Sequence, residues 1–150
     1  MDSVRFHTGL DRILSEPLAC LTGRRLGLLL NQASLSADGQ YSCDALCTRF
    51  PGQLRCLFSP QHGIWGEEQA NMIETAHAIY EPLSLPVFSL YSETRQPTQA
   101  MLADIDVLVI DLQDVGTRVY TFVWTVVKCM EACARSGTQV VVLDRRLKDK

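Results

Sequence analysis

The sequence predicts an α/β protein with a doubly wound, mostly parallel sheet of about five strands, formed as a single domain over residues 1–150. Short apolar runs of strand length alternate along the chain with segments of helical periodicity, which is the pattern of successive β–α–β units. These runs contain few polar residues, as expected for strands that are covered by helices on both faces. Right-handed crossovers then place the carboxyl ends of the strands at one edge of the sheet.

The predicted strands are short, mainly apolar runs. They cover residues 25–31, 54–59, 86–90, 107–111 and 139–143. The fourth run ends in a cluster of polar residues, at the edge where parallel sheets usually bind ligands. The segment 60–85 shows few strand signals, and connections of this length are usually functional or poorly ordered. We therefore predict a long loop there.

Three helices are predicted between the strands. The first covers 42–50 with Ser42 as its candidate cap, the second covers 97–102, and the third covers 120–135. Gly137 ends the third helix. The apolar face of this helix is predicted to carry Phe122, Val126, Cys129, Met130 and Cys133. After the last strand, residues 145–150 form a charged stub where a further unit is expected, so the sequence suggests a truncated chain.

Composition excludes several classes of protein. Hydrophobic residues make up 47% and charged residues 21%, which is typical of a globular domain. A net charge of −3 provides no basic field for nucleic acid. No apolar run reaches the length that a bilayer requires, and the polar amino terminus does not resemble a secretory signal. We expect a cytoplasmic protein with no nucleic-acid or membrane partner.

No cofactor or metal ion is predicted. Of the six cysteines, Cys43 and Cys47 are four residues apart, as are Cys129 and Cys133, so each pair shares one face of a predicted helix. Small buried thiols explain this spacing better than zinc ligation, which requires CxxC pairs or nearby histidines. The sequence also lacks the GxGxxG, GxxxxGK[ST], HExxH and GxSxG motifs.

The first candidate site follows the second predicted strand. It contains Gln61, His62, Trp65, Glu67 and Glu68, with glycines that allow close approach of a ligand. A histidine can transfer protons near neutral pH, and an indole can stack on the apolar face of a sugar. The alternative is a histidine held structurally by the neighbouring loop.

The second candidate site follows the fourth predicted strand, and two amides after the first strand lie at the same edge. Together these positions are Asn31, Gln32, Asp111, Gln113, Asp114, Arg118 and Tyr120. Asp111 and Asp114 can form a carboxylate pair or accept hydroxyl groups, and Arg118 can clamp an anion. The alternative is an Asp114–Arg118 ion pair that only fixes the loop. We expect the tips of both sites to converge on one sugar-sized pocket.

Several motifs occur in an order that resembles the DUF1343 family, which includes exo-β-N-acetylmuramidases. They are LLLNQAS, LFSPQHGIWGEEQ, PVFSLYSETRQPT, DVLVIDLQDVGTRVYTFV and VVLDR, between residues 25 and 145. The resemblance implies a Rossmann-like amino-terminal domain, followed in the family by a smaller carboxy-terminal domain that packs on it. It also implies a site in the cleft between the two domains that releases terminal N-acetylmuramic acid from peptidoglycan fragments. This chain resembles only the first domain, so the second is expected to be absent.

The chain departs from the family at one chemically important position. The resemblance implies a Pro-Glu-His-Gly motif whose Glu is the catalytic acid, whereas this chain has Gln61 there. Glycoside hydrolysis generally needs a carboxyl group to protonate the leaving oxygen, and loss of general acid catalysis typically costs ~10²–10⁴ in rate. Gln61 can still hydrogen-bond a sugar hydroxyl.

The resulting hypothesis is a glycoside hydrolase-like domain whose ligand is a peptidoglycan-derived sugar. The candidate catalytic residues are His62, Glu67, Glu68 and Asp114. The candidate substrate-binding residues are Asn31, Gln32, Gln61, Trp65, Asp111, Gln113, Arg118 and Tyr120. Whether the chain turns substrate over is left open. The alternatives are a non-catalytic module that binds carbohydrate or another partner, and an inactive truncated gene product.

Overall fold

The computed structural model describes residues 7–16, 18–66, 77–114, 116 and 121–145. Its centre is a six-stranded sheet with the order β3-β4-β2-β1-β5-β6, in which β3 is antiparallel and the others are parallel. The strands are β1 (Leu26–Leu30), β2 (Leu54–Ser59), β3 (Ala78–Tyr80), β4 (Leu85–Ser89), β5 (Val107–Asp111) and β6 (Gln139–Val142). The five predicted strands and the doubly wound, Rossmann-like class are confirmed.

Four helices accompany the sheet. They are α1 (Gly9–Ser15), α2 (Ser42–Arg49), α3 (Gln99–Leu102) and α4 (Phe122–Ser136), and a short 3₁₀ helix covers Glu81–Leu83. Over the described ranges, no helix has the length and apolar character needed to cross a membrane.

The central strands β1 and β5 are buried on both faces of the sheet, which explains their nearly continuous apolar sequences. Along β1, Leu28 packs with α1 and α2 on one face, while Leu29 packs with α3 and α4 on the other. Both leucines are fully buried. Strands covered on two sides cannot show the alternation of a half-exposed strand, so their continuous runs were recognisable in the sequence.

Three elements were not predicted: strand β3, helix α1 and the 3₁₀ helix Glu81–Leu83. Strand β3 lies within the segment expected to be a loop, and it is a short antiparallel edge strand that is largely exposed. Helix α1 begins with a capping box in which the Asp11 amide donates to Thr8 Oγ1 and the Thr8 amide donates to Asp11 Oδ2. The Gly9 amide donates to the Asp144 carbonyl at 2.8 Å, so a contact distant in sequence fixes where α1 begins.

Two details of the predicted helices are wrong. The residue that caps α2 is Tyr41, and Ser42 is the first helical residue, with a buried hydroxyl that has no hydrogen-bond partner among the described residues. Met130 is 48% exposed, whereas Ala132 is buried in its place. The buried face of α4 is rotated because it packs toward α3 as well as onto the sheet.

The strand order indicates where in the sheet a site is expected, namely at the carboxyl ends of the parallel strands. The chain proceeds from β1 outward to β2 and β4, and then returns to add β5 on the other side of β1. At such a switch point the loops that follow neighbouring strands diverge and leave a crevice at the carboxyl ends. The loops after β1, β2 and β5 lie around this point.

Candidate functional site

Hydrogen bonds between loops connect the three loops at the carboxyl edge. Thr121 Oγ1, just before α4, donates to Gln61 Oε1 in the loop after β2 at 2.9 Å. Ser34 Oγ, in the loop after β1, donates to the main-chain oxygen of Asp111 at the end of β5. The loops that carry the candidate residues therefore meet at one edge, although they are far apart in sequence.

The loop after β1 uses its two amides differently. Asn31 is only 2% exposed, and its Oδ1 accepts from the Ala33 amide at 3.0 Å. This amide therefore builds the turn. Gln32 is exposed and lies against Gly66, where an added Cβ would come within 3.3 Å of Gln32 Nε2. Of the two predicted amides, Gln32 is the one available to a ligand.

The loop after β2 contains an unusual backbone conformation. His62 has φ +76° and Gly63 has φ +77°, so two successive residues are left-handed. For a residue with a Cβ this conformation is uncommon and can cost on the order of 1 kcal/mol, and such outliers cluster at functional sites. The turn is closed by the Gly63 amide, which donates to the Pro60 carbonyl. The half-buried imidazole is thereby presented next to Gln61.

Trp65 belongs to an aromatic cluster at the end of the same loop. Its ring centroid lies 4.5 Å from that of Tyr41, edge to face, and 5.7 Å from that of Tyr80. The side chain is nevertheless 41% exposed. Because two tyrosines hold the indole in place, its exposed part offers a rigid apolar surface at little entropic cost.

Asp111 is occupied by an ion pair that the sequence did not suggest. Its carboxylate is fully buried, and Arg145 binds both oxygens, with Nε–Oδ1 at 2.5 Å and Nη2–Oδ2 at 2.7 Å. The arginine side chain is only 7% exposed. In this arrangement the Asp111 carboxylate fixes the loop instead of presenting itself to a sugar. Arg145 lies in the segment predicted to be a charged stub. Its position in the VVLDR motif was the only sequence signal that it has a structural role.

The rest of the second cluster is described in part. Asp114 is half-buried, and its Oδ1 accepts from the Gly116 amide at 2.9 Å. Gln113 is also half-buried. The remaining predicted site residues lie outside the described residues: Glu67, Glu68, Arg118 and Tyr120. Their roles, and the Asp114–Arg118 pair, stay predictions.

The loop after β4 adds residues that the prediction missed. The Arg95 guanidinium lies 3.9 Å from the centroid of the Tyr91 ring, and its Nη1 donates to the Ser92 carbonyl. The Ser92 hydroxyl is buried without a hydrogen-bond partner among the described residues. This loop also leaves the sheet at the carboxyl edge, because β4 is parallel to β2. The sequence did contain a signal for these residues, because a polar run directly follows the third predicted strand.

Three cavities lined by described residues lie away from the loops after β1, β2 and β5. One of about 510 Å³ is at the amino ends of β1, β5 and β6, lined by Arg25, Asp106 and Gly137 among others. A second, of about 450 Å³, lies between α1 and the end of β6, and a third, of about 280 Å³, lies between α3 and α4. The shared sugar-sized pocket stays a prediction.

The cysteines are free thiols, and four of the six are buried. Burial raises the pKa of Cys43 to about 11 and that of Cys56 to about 12, so both are poor nucleophiles near neutral pH. Within the described ranges, no group of three or more His, Cys, Asp or Glu residues is arranged to hold a metal ion.

Comparison with known proteins gives consistent matches. Residues 26–147 match the family described as "Exo-beta-N-acetylmuramidase NamZ, N-terminal". The chain is 40% identical over 141 residues to the peptidoglycan β-N-acetylmuramidase NamZ of Bacillus subtilis strain 168, and the match covers 94% of this chain and 34% of that protein.

Crystal structures of two DUF1343 family proteins from Bacteroides fragilis NCTC 9343 share the fold. One has a TM-score of 0.83 at 36% identity and the other 0.72 at 26% identity, covering 95% and 93% of this chain. Each match covers 35% of the solved chain. The chain thus spans about a third of the length of these relatives. It belongs to the NamZ amino-terminal domain family within the DUF1343 proteins.

Proposed function

We propose that the carboxyl edge of this sheet binds a peptidoglycan-derived sugar, as one wall of a β-N-acetylmuramidase-type site. The name of the Bacillus subtilis relative and its 40% identity support the class of substrate. The observation that carries the proposal is the hydrogen bond from Thr121 to Gln61, which joins the loops after β2 and β5 at one edge.

The residues at this edge suit the hydroxyl and N-acetyl groups of an amino sugar. The amides of Gln32, Gln61 and Gln113 can each donate to and accept from hydroxyl and acetamido groups. The exposed part of Trp65 can stack on the apolar face of a pyranose ring. These contacts supply binding and orientation without any titratable group.

Proton transfer would fall to His62 and Asp114, together with Glu67 or Glu68. Glycosidases generally use two carboxyl groups, one on each side of the scissile bond. Gln61 cannot supply a proton, so hydrolysis by this chain requires one of these groups to act as the acid. The longer relatives include residues beyond the matched part, and in the proposed site their second domain would close over this edge. The cytoplasmic location stays a prediction.

Calorimetry with an N-acetylmuramic acid disaccharide tests the binding. A site with one wall is expected to bind weakly, with Kd on the order of 1 mM. Gln113→Ala is expected to weaken binding about 2- to 10-fold through loss of a hydrogen bond. Gln53→Ala, at the opposite edge of the sheet, is the control. Absence of binding at 20-fold higher concentration (about 20 mM), or equal affinity in parent and Gln113→Ala, would refute the proposal.

A turnover assay on a chromogenic muramic-acid glycoside tests the catalytic residues. The variants are His62→Ala, Glu67→Gln, Glu68→Gln and Asp114→Asn. At least one is expected to lower the rate about 100-fold. If all four match the parent, the assignment of catalytic residues is wrong.

The second candidate is a sugar-binding module without catalysis. The position of Gln61, whose amide oxygen already accepts from Thr121, favours it, because that side chain serves as a hydrogen-bonding group in place of an acid. Binding of the disaccharide with no detectable turnover in the parent would select this candidate.

A further inference from the structure

Tyr80 connects three elements of the fold through one side chain. It is the last residue of β3, in antiparallel register with Leu85 of β4. Its ring centroid lies 5.7 Å from that of Trp65, in the loop after β2. Its hydroxyl donates to Asp44 Oδ1 at 3.5 Å, in the first turn of α2. An edge strand that the sequence pattern did not predict thus reaches the loop of the candidate site.

The surroundings of the Tyr80 hydroxyl keep it protonated, so it acts as a donor. Burial, together with the neighbouring Cys43 thiol and Asp44 carboxylate, raises the pKa of Tyr80 to about 12. The phenol is therefore neutral near neutral pH and can donate to the carboxylate. At 3.5 Å this hydrogen bond is long, so the packing of the ring must supply most of the constraint.

The packing around Tyr80 and Trp65 is anchored in the core. Tyr80 and Tyr41 both pack against the buried cluster on the α1 and α2 side of the sheet. Ile64, which directly precedes Trp65, belongs to the same cluster and is 4% exposed. The Tyr41 carbonyl accepts from the Ala45 amide at 3.0 Å, where α2 begins. The groups on either side of the indole are therefore held by buried structure.

Among the described residues, two tyrosine rings contact the indole of Trp65 from different directions. Tyr41 meets it edge to face, with 74° between the ring planes, whereas the Tyr80 ring is tilted by 48°. Aromatic pairs of this kind each shift an equilibrium by about 2- to 10-fold. Removal of the Tyr80 ring therefore removes one restraint of measurable size.

We propose that Tyr80, held by β3 and α2, is a positioning residue that orients the Trp65 indole for stacking on the pyranose ring. The inference rests on the proposed function, because that function assigns the indole to the apolar face of the sugar. Tyr80 acts through Trp65 and requires no contact with the ligand. When a binding group occupies its competent orientation for a smaller fraction of the time, the apparent Kd rises by the inverse of that fraction.

Calorimetry of the full chain with the N-acetylmuramic acid disaccharide tests this role. Tyr80→Leu is expected to raise Kd about 2- to 10-fold, whereas Tyr80→Phe keeps the ring and should stay within about 2-fold of the parent. The matched control is Ile79→Ala, at the preceding residue of β3, whose side chain is 62% exposed on the other face of the strand. Its Kd should equal that of the parent.

A second background separates positioning from a general structural effect. In a Trp65→Leu chain, Tyr80→Leu is expected to cause no further rise in Kd, because its effect passes through the indole. A substitution that only loosened the fold would weaken binding in both backgrounds.

The decay of fluorescence anisotropy measures the motion of the indole without any ligand. Trp65 and Trp124 are the two tryptophans of the chain, so Trp124→Phe leaves Trp65 as the single indole. In this background Tyr80→Leu is expected to enlarge the nanosecond component of the decay, because side-chain rotation on that timescale is then less restrained. Tyr80→Phe should behave as the parent does.

The outcomes distinguish this inference from the proposed function. Equal Kd values for the parent and Tyr80→Leu, an equal loss with and without Trp65, or an unchanged anisotropy decay would overturn the positioning role and leave the proposed function standing. A parent that does not bind the disaccharide would overturn the proposed function and this inference with it.

Discussion

Replacement of Arg145 by methionine is expected to have the largest effect of any single substitution considered for this fold. The change leaves the fully buried Asp111 carboxylate without its counter-charge and without two hydrogen bonds. Removal of one partner from a buried pair typically costs about 3–5 kcal/mol, because the remaining charge stays desolvated. Against a total stability on the order of 5–15 kcal/mol, this is a large fraction.

Thermal unfolding followed by circular dichroism measures the effect. For a domain of this size, each kcal/mol shifts Tm by about 2–4 °C, so Arg145→Met is expected to lower Tm by about 6–20 °C. Arg145→Lys keeps the charge but loses the bidentate geometry, so its Tm is expected to be intermediate. The double variant Asp111→Leu/Arg145→Met removes both charges and is expected to regain most of the loss.

The matched control is Arg55→Ala, which breaks an ion pair with Asp104. Both partners of that pair are exposed, at 45% and 63%, so its loss is expected to cost at most about 1 kcal/mol. If Arg145→Met lowers Tm no more than Arg55→Ala does, the Asp111–Arg145 pair does not stabilise the fold as its buried geometry indicates. A double variant as unstable as Arg145→Met would also refute the reasoning.

Three further predictions concern a surface carboxylate, the thiols and a helix start. Hydrogen bonds from Arg25 hold the pKa of Asp106 at about 2, below its ordinary 3.8, so the associated stability is present above pH 4 and is lost as pH falls toward 2. In Arg25→Ala an NMR titration should show that pKa rising toward its ordinary value, and an unchanged pKa would contradict this. Burial hides Cys129 and raises its pKa, so a disulfide reagent at pH 8 should modify the half-buried Cys20 and Cys47 before Cys129, as mapped by mass spectrometry; equal rates would count against the packing. Gly9→Ala places a Cβ 2.6 Å from the main chain after β6 and is expected to cost about 1–3 kcal/mol in urea unfolding, whereas parent-like stability would show that α1 can shift.

The strands of the fold were predictable because burial on two faces leaves a strong signal. Strands β1 and β5 are buried along their whole length, and β2 is exposed only at Arg55, whereas β4 and β6 are partly buried and gave shorter apolar runs. Strand β3 gave no such signal, since it is three residues long and largely exposed. The start of helix α1 did carry a local signal, the capping box of Thr8 and Asp11, whereas its hydrogen bond to the residue after β6 could not be inferred from local patterns.

The candidate site was predictable as an edge of the sheet but not as a set of contacts. Polar residues directly after apolar strands indicated the edge correctly. The roles within it depend on partners that are distant in sequence: Arg145 for Asp111, and Thr121 for Gln61. The amide of Asn31 resembled a ligand-binding group in the sequence, yet the adjacent turn uses it. Such assignments require the strand order, which sets which loops are neighbours.

The most direct test of a sugar site at the carboxyl edge is a ¹H–¹⁵N NMR titration of the full chain with an N-acetylmuramic acid disaccharide. The account predicts concentration-dependent shifts for the amides of Gln32, Gln61 and Gln113 and for the Trp65 indole. Signals near Gly137, in the cavity at the opposite edge, should stay fixed. Shifts confined to that cavity, or no shifts at saturating ligand, would contradict the account.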